Sequence, residues 1–484
     1  MVAPVAGAEA DPAAGGTETA DSRFFQLGLT AEKDLHHVPG AKPLLSFPPE
    51  ARALWERGWD RLSEPGLWIV FVLVAGALPR FLWVIASEGT ADAIVWEALV
   101  RDVHERGMIA VYQGGDHILN HPPMAVWLTG GLHSLGLALD QPFALVFRMP
   151  LLIGDLVTFG GIVWLFGAST HSKWRQARWA IASFWWLSPV VMVLSSFHGN
   201  TDSLVAMGLV LAAGAVAHQR YALAGLIIGL GLWIKIPGIL AAPLLWFAVP
   251  HTAGRIRMAT IAALTATAGY LPWLILDPSA VIESVFFYPG LRIQTTTGMP
   301  IWGLERFFPD WRAIPIEWRS EYRTWMIGWL QANRWICLIP IVILAIVRRG
   351  RNEATELAAG IAATYAILYG LSNLWGFQYL AWSAPFWLAL GPRWGVAATV
   401  LTSVYVYGLY AWLCHSWLLL GPWNFAAQPD WPLFLRAARD GSILFFATTA
   451  LWQITTALRE ESRRWNPHSP LRAGQSEATP SEQD

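Results

Sequence analysis

Two aspartates sit where apolar sequence gives way to polar. Asp92 lies in Glu88-Gly89-Thr90-Ala91-Asp92-Ala93, after the first long apolar run. Asp202 closes His198-Gly199-Asn200-Thr201-Asp202, between two more. A carboxylate just outside a membrane can take the proton from an attacking hydroxyl. Each also has a plainer reading, as a helix N-cap. His198 and Asn200 point to a polar pocket at the second box, since a cap needs neither. Lys235, one of four lysines with Lys33, Lys42 and Lys173, stands in Trp233-Ile234-Lys235-Ile236-Pro237. A proline there breaks a helix and frees backbone groups. The lysine could then meet an anionic phosphate, or snorkel to lipid headgroups. Arg148 and Asp155, seven residues apart, share one helix face two turns apart. A charge at mid-membrane costs about 2.5–3.5 kcal/mol, so both must face protein or a wet cavity. Asp155 reads as half of a structural pair. Arg148, nearer the helix end, could hold phosphate instead. Farther on, Phe286-Phe287-Tyr288-Pro289-Gly290-Leu291-Arg292 offers Tyr288 and Arg292, a bidentate phosphate ligand or a loop with aromatic membrane anchors. Gln378 and Tyr379 open an apolar segment, where Tyr379 could equally be a belt residue.

The chain that must position these groups is 484 residues long, 55% hydrophobic and 14% charged. Soluble domains carry about 25% charged residues, so repeated apolar runs read as membrane helices. The expected fold is an all-α polytopic membrane protein. Thirteen apolar segments are candidates: 66–86, 122–139, 146–168, 176–196, 201–217, 222–234, 237–249, 256–276, 332–348, 355–371, 376–391, 394–419 and 441–457. Two are ambiguous. The first, 122–139, is rich in Pro and Gly. The other region, 222–249, is either one helix or two short ones broken at Lys235.

Basic residues arbitrate, because short cytoplasmic loops carry excess Lys and Arg. Suppose 122–139 does not cross and 222–249 is two helices. About twelve spans result, with juxtamembrane or re-entrant helices on the outer face. Lys173, Arg175 and Arg178, Arg255 and Arg257, Arg348 to Arg351, Arg393, and Arg459 to Arg464 then all fall inside, and Asp92 and Asp202 share the outer face. If 122–139 spans and 222–249 is one helix, the two aspartates lie on opposite faces.

Residues 1–64 form a cytoplasmic segment without signal-peptide features. Its first 22 residues are expected to be disordered, and 50–62 to be an amphipathic surface helix. Residues 65–458 form the membrane domain, and 459–484 a polar tail. A net charge of −1 gives no indication of nucleic acid. No phosphate-binding or dinucleotide glycine loop appears, nor any zinc spacing. Cys337 and Cys414 lie in apolar runs and read as core residues. The Arg-, Ala- and Trp-rich, Lys-poor usage points to a bacterial plasma membrane.

The order of these elements resembles a family. Arg80 and Asp92 are followed by His121-Pro122-Pro123, Phe147-Arg148 with Asp155, Ser188-Pro189, the His198–Asp202 box, Lys235-Ile236-Pro237 and Gln378-Tyr379-Leu380. Across residues 66–390 this is similar to the GT-C superfamily of polytopic glycosyltransferases that use polyprenyl-phosphate sugars. The first half looks like the lipid-linked-oligosaccharide glucosyltransferases, and Gln378-Tyr379 like polyprenol-phosphate mannosyltransferases. The resemblance implies inverting hexose transfer on the outer face, from a polyprenyl-phosphate sugar to a glycan, lipid or protein acceptor. Asp92 matches the family's catalytic aspartate. His121, Arg148, His198, Asn200, Asp202, Lys235, Tyr288, Arg292, Gln378 and Tyr379 would line the substrate site, with the donor phosphate at Lys235, Arg292 or Arg148. Many members pair two acids at the first motif. Here Ala91 precedes Asp92, so a divalent metal is not expected there, and no other cofactor is implied.

Overall fold

The computed structural model describes residues 65–114, 119–287, 313–372, 376–424 and 431–465, with 307 and 309. The expected helix at 50–62, the N-terminal segment, Tyr288, Arg292 and the tail beyond 465 lie outside them. Among the described residues the chain is helical, without strands. Seven helices are long and apolar enough to cross a membrane: Leu67–Ala86, Phe143–Gly167, Thr252–Leu276, Ile316–Val347, Ala354–Leu371, Pro392–Leu413 and Leu433–Ser462. The chain is a multi-pass membrane protein in architecture.

Helix α1 (Leu67–Ala86) runs to Ser87 and a short linker. Two further helices follow, α2 (Ala91–Arg106) and α3 (Met108–Gln113), then α4 (Pro123–Leu139). Helix α5 (Phe143–Gly167) begins after Pro142, where proline's fixed φ suits a helix start. The position of α4 is decided by Arg148. From the second turn of α5 it hydrogen-bonds the carbonyls of Trp83, Val84 and Ser87 at the end of α1. The end of α1 and the start of α5 are thus at the same end of the bundle. Helix α4 therefore does not carry the chain to the other end.

The segment 176–196 is bent rather than straight. Helix α6 (Ser172–Trp186) and the stretch Pro189–Phe197 meet at 56°. Pro189 removes a backbone donor and restricts Ser188. The second stretch starts as α7 (Pro189–Met192) and widens into a π-turn over Val193–Phe197. Helix α8 (Asp202–Ala217) leads away and α9 (Tyr221–Ile234) leads back. At Lys235 the chain is extended, with φ −161° and ψ 127°, and resumes as a 3-10 turn, Ile236–Ala241, and α10 (Ala242–Ala248). The break expected before Pro237 is present.

Helices α11 (Thr252–Leu276) and α12 (Pro278–Phe286) follow, then α13 (Arg319–Val347) and α14 (Ala354–Leu371). Helix α13 begins thirteen residues before the apolar segment expected at 332. The 376–391 segment is not one helix. It folds as the short turns Phe377–Tyr379, α15 (Leu380–Ser383) and Ala384–Leu390, interrupted by Pro385. Helix α16 (Pro392–Leu413) stops earlier than 419, and α17 (Leu433–Trp465) continues past 458 into the stretch read as polar tail. Its last turns are held at the basic end, where Arg351 bonds Glu460, Arg349 bonds Glu461 and Arg348 bonds Gln453.

Most buried side chains form one large core. A second apolar cluster lies under α2, α3, α4 and α12, with Trp96, Val111, Val126 and Val281 packed on Phe143 and Phe147 of α5 and Tyr270 of α11. These short helices cover the end of the bundle where α1 stops.

Candidate functional site

Arg148 is the keystone of that end. Nε donates to Ala144, Nη1 to Trp83 and the Ser87 hydroxyl, and Nη2 to Val84 and Ser87. A guanidinium has five N–H donors, and all five are used. This corrects the expectation that Arg148 binds phosphate: it caps the carbonyls of Val84 and Ser87 at the end of α1 and shares that of Trp83 with the Ser87 N–H. Asp155 is not its mate either. The Asp155 carboxylate takes Arg80 Nε at 2.9 Å, and the Arg80 guanidinium lies 4.0 Å over the Trp186 ring.

Two glycines press against Arg148. Gly89 has φ +73° and Gly199 φ +69°, left-handed values that glycine adopts without strain. A Cβ on Gly89 would stand 2.9 Å from the Phe197 carbonyl, and one on Gly199 3.0 Å from Arg148 Cδ. The chain can therefore bring Gly89-Thr90-Ala91-Asp92 directly against Gly199-Asn200-Thr201-Asp202. Thr90 joins them, donating to the His198 carbonyl at 2.8 Å while capping α2 through the Asp92 N–H. Asp92 is therefore not the cap.

Its carboxylate is instead held from the second box. Asn200 Nδ2 donates to Asp92 Oδ2 at 2.6 Å, and its amide orientation is set because Oδ1 accepts the Thr201 N–H. His198 Nε2 lies 3.1 Å from the same oxygen, at an angle outside hydrogen-bond geometry. Oδ1 of Asp92 has no hydrogen-bond partner among the described residues, and the side chain is 33% exposed. Burial pushes the Asp92 carboxyl up, but His198, Asn200 and the Lys235 charge outweigh it and hold it below the usual carboxylate range. The carboxylate is ionised, with one oxygen tied and the other open.

Asp202 does not cap α8 with its side chain either. It is fully buried, and its Oδ1 accepts from Lys235 Nζ at 2.8 Å and from Trp382 Nε1 at 2.7 Å. Oδ2 has no partner among the described residues. Lys235 is buried too, 5.0 Å from the Tyr379 ring, which stacks on Trp382 at 4.2 Å. The snorkelling alternative for Lys235 is thereby ruled out. The belt reading of Tyr379 gives way to packing on this pair.

His121 packs against Trp96, with ring centroids 4.3 Å apart and planes tilted by 35°. Burial and the Lys235 charge lower its pKa to about 3, with Asp92 opposing, so the ring is neutral at physiological pH. Gln378 is half-buried beside Tyr379. Thus Asp92, His121, His198, Asn200, Asp202, Lys235 and Tyr379 converge at one end of the bundle. No protein-family model matches the chain, and no curated protein sequence matches it either. The site is therefore read from its own geometry.

Between α8, α9 and α10 lies a narrow apolar cleft with Leu209, Ile227, Gly231 and Leu245 in its walls. Among the described residues no three His, Cys, Asp or Glu side chains converge as a metal set. With Ala91 in place of a second acid, the residues do not fit a paired-acid metal site. Three contributors were not foreseen from sequence. Thr90 sits in a Gly-x-x-Asp pattern shared by Gly89–Asp92 and Gly199–Asp202, which could have flagged it. Trp382, and Tyr410 whose hydroxyl meets His198 Nδ1, lie in apolar stretches that carry no such mark.

Proposed function

We propose that this chain is an inverting glycosyltransferase of GT-C type, moving a hexose from a polyprenyl-phosphate donor to an acceptor at the outer face of a plasma membrane. The observation that carries the reading is the Asp92 carboxylate. Oδ2 is fixed by Asn200 and approached by His198, Oδ1 is open, and the charge of the buried Lys235 acts on the carboxylate. In this reading Oδ1 takes the proton of the acceptor hydroxyl. That oxygen attacks the anomeric carbon from the face opposite the phosphate. The glycosidic bond to phosphate breaks, and polyprenyl phosphate departs. Depressed basicity suits this role when proton transfer comes late, after most of the bond to phosphate has broken. The Lys235 ammonium has N–H donors beyond the one given to Asp202, and these favour the phosphate charge as it develops. Asp202 keeps Lys235 charged and in place.

The same reading makes twelve traverses of the membrane. They are α1, α5, α6 with α7, α8, α9, the 3-10 turn with α10, α11, α13, α14, the 377–390 turns, α16 and α17. Both chain ends then lie at the basic face, with α2, α3, α4 and α12 as outer helices.

The breaks at Ser188 and Lys235 also suit a transporter, whose sites form at discontinuous helices. A single assay separates the two. Purified protein is incubated with undecaprenyl-phosphate mannose or glucose and a membrane acceptor fraction. Release of undecaprenyl phosphate with sugar transfer supports the enzyme. Flux of the lipid across a vesicle without release supports the transporter.

A further inference from the structure

The Asp92–His198 contact has a third member. Tyr410, in the last turn of α16, is fully buried with its hydroxyl 2.5 Å from His198 Nδ1. That is the one hydrogen bond its phenol makes among the described residues. The ring is boxed by Phe197, Phe377 and Trp423 at centroid distances of 5.6, 5.5 and 5.1 Å, so it has no room to swing away.

The proton inventory then follows from donor and acceptor chemistry. A neutral imidazole carries one N–H, and the hydrogen bond at one nitrogen decides which. Nε2 faces the Asp92 carboxylate, which can only accept when ionised. The Nδ1–H tautomer would turn the Nε2 lone pair on that carboxylate, two acceptors 3.1 Å apart in a largely buried site. A phenol donating to Nδ1 leaves the proton on Nε2. We propose that Tyr410 is a positioning residue: it fixes His198 as the Nε2–H tautomer and thereby sets that N–H beside Asp92 Oδ2, leaving Oδ1 to meet the acceptor. The consequence for turnover rests on the base reading of Asp92, but the tautomer assignment does not.

Other charged and titratable groups surround this chain. Lys235 faces Asp92 from the α9 break, and His121 faces it from the loop before α4. Asp202 faces Tyr410 from α8, and Tyr405 and Cys414 face it from α16 itself and the residue that follows it. Arg148 backs Gly199 with its methylenes. All of these stay in place in Tyr410→Phe, which removes one oxygen and keeps the ring.

The test uses the full chain in lipid nanodiscs with 15N-labelled histidine, the His198 ring signals being assigned by their loss in His198→Gln. The wild type should show a protonated Nε2 and a hydrogen-bonded, unprotonated Nδ1. Tyr410→Phe should show mixed tautomers. An unchanged His198 ring spectrum in Tyr410→Phe overturns the proposal. With undecaprenyl-phosphate mannose as donor probe, kcat in Tyr410→Phe should fall by about tenfold, the value of one hydrogen bond. KM for the donor should hold. The acid limb of kcat/KM should move up by about 0.5–1 unit as Asp92 loses the favourable field of that N–H. In a His198→Gln background the substitution should add nothing. A purely structural role would lower the folded fraction without moving that limb. If Asp92→Asn is inactive while Tyr410→Phe matches wild type in spectrum and kinetics, the Tyr410 proposal fails alone. If the spectrum changes as expected but Asp92→Asn turns over normally, the base reading fails and the tautomer assignment stands.

Discussion

Replacing Lys235 by Met should destabilise the protein strongly, and the reason lies in Asp202. That carboxylate is fully buried, its partner lysine is 8% exposed, and they meet at 2.8 Å. Removing one member of such a pair leaves a charge that neither water nor protein balances, at a cost of about 3–5 kcal/mol. Trp382 still donates at 2.7 Å, but a neutral indole does not offset a full charge. A change of that size lowers Tm by roughly 3–5 °C in a chain of this length, at about 1 °C per kcal/mol. The double variant Lys235→Met/Asp202→Asn removes the stranded charge and keeps an acceptor for Trp382. It should regain most of the loss, with a coupling of at least about 2 kcal/mol. Thermal unfolding of detergent-purified protein, followed by tryptophan emission, measures all four corners of the cycle. Stability in Lys235→Met equal to wild type, or a double variant as unstable as the sum of the singles, would refute the buried-pair argument.

Three further outcomes are expected. Arg148→Gln removes most of the capping bonds at the end of α1 and should cost about 3 kcal/mol or more in the same unfolding assay. Gly199→Ala should lower both stability and transfer, because its φ is left-handed and its Cβ would press on Arg148; alanine at Gly131, which meets nothing within 4 Å, is the control. His121 is held near pKa 3 against an ordinary 6.5. Between those values the unfolded chain binds a proton that the folded chain refuses, so stability falls as pH drops below 6.5 and continues to fall toward 3. His121→Gln should flatten that slope in a Tm-versus-pH series.

The long apolar helices were legible because each is a continuous run, and Pro237 announced the break at Lys235. The bend at Ser188 was harder to read, since hydropathy is uninterrupted across 176–196 and the proline alone carries it. The placement of Asp92 and Asp202 at one end followed from where the arginines fall, and Arg148 bonding the end of α1 agrees with it. Partners across helices were not legible. Spacing along one helix suggested Arg148 for Asp155, whereas the structure pairs Asp155 with Arg80, 75 residues away. Tyr410 meets His198 across 212 residues, and neither periodicity nor composition encodes such a contact. Arg148 read as a phosphate ligand because its charge was visible, while the carbonyls it caps were not.

Asp92→Asn tests the central claim most directly. The variant keeps the side chain's size and leaves Asn200 and Lys235 in place. Purified wild type and variant are compared for release of undecaprenyl phosphate from undecaprenyl-phosphate mannose or glucose, with Tm measured on the same samples. The account predicts transfer lost by at least about a hundredfold in a protein that still unfolds cooperatively near the wild-type Tm. Near-normal turnover in folded Asp92→Asn would contradict it.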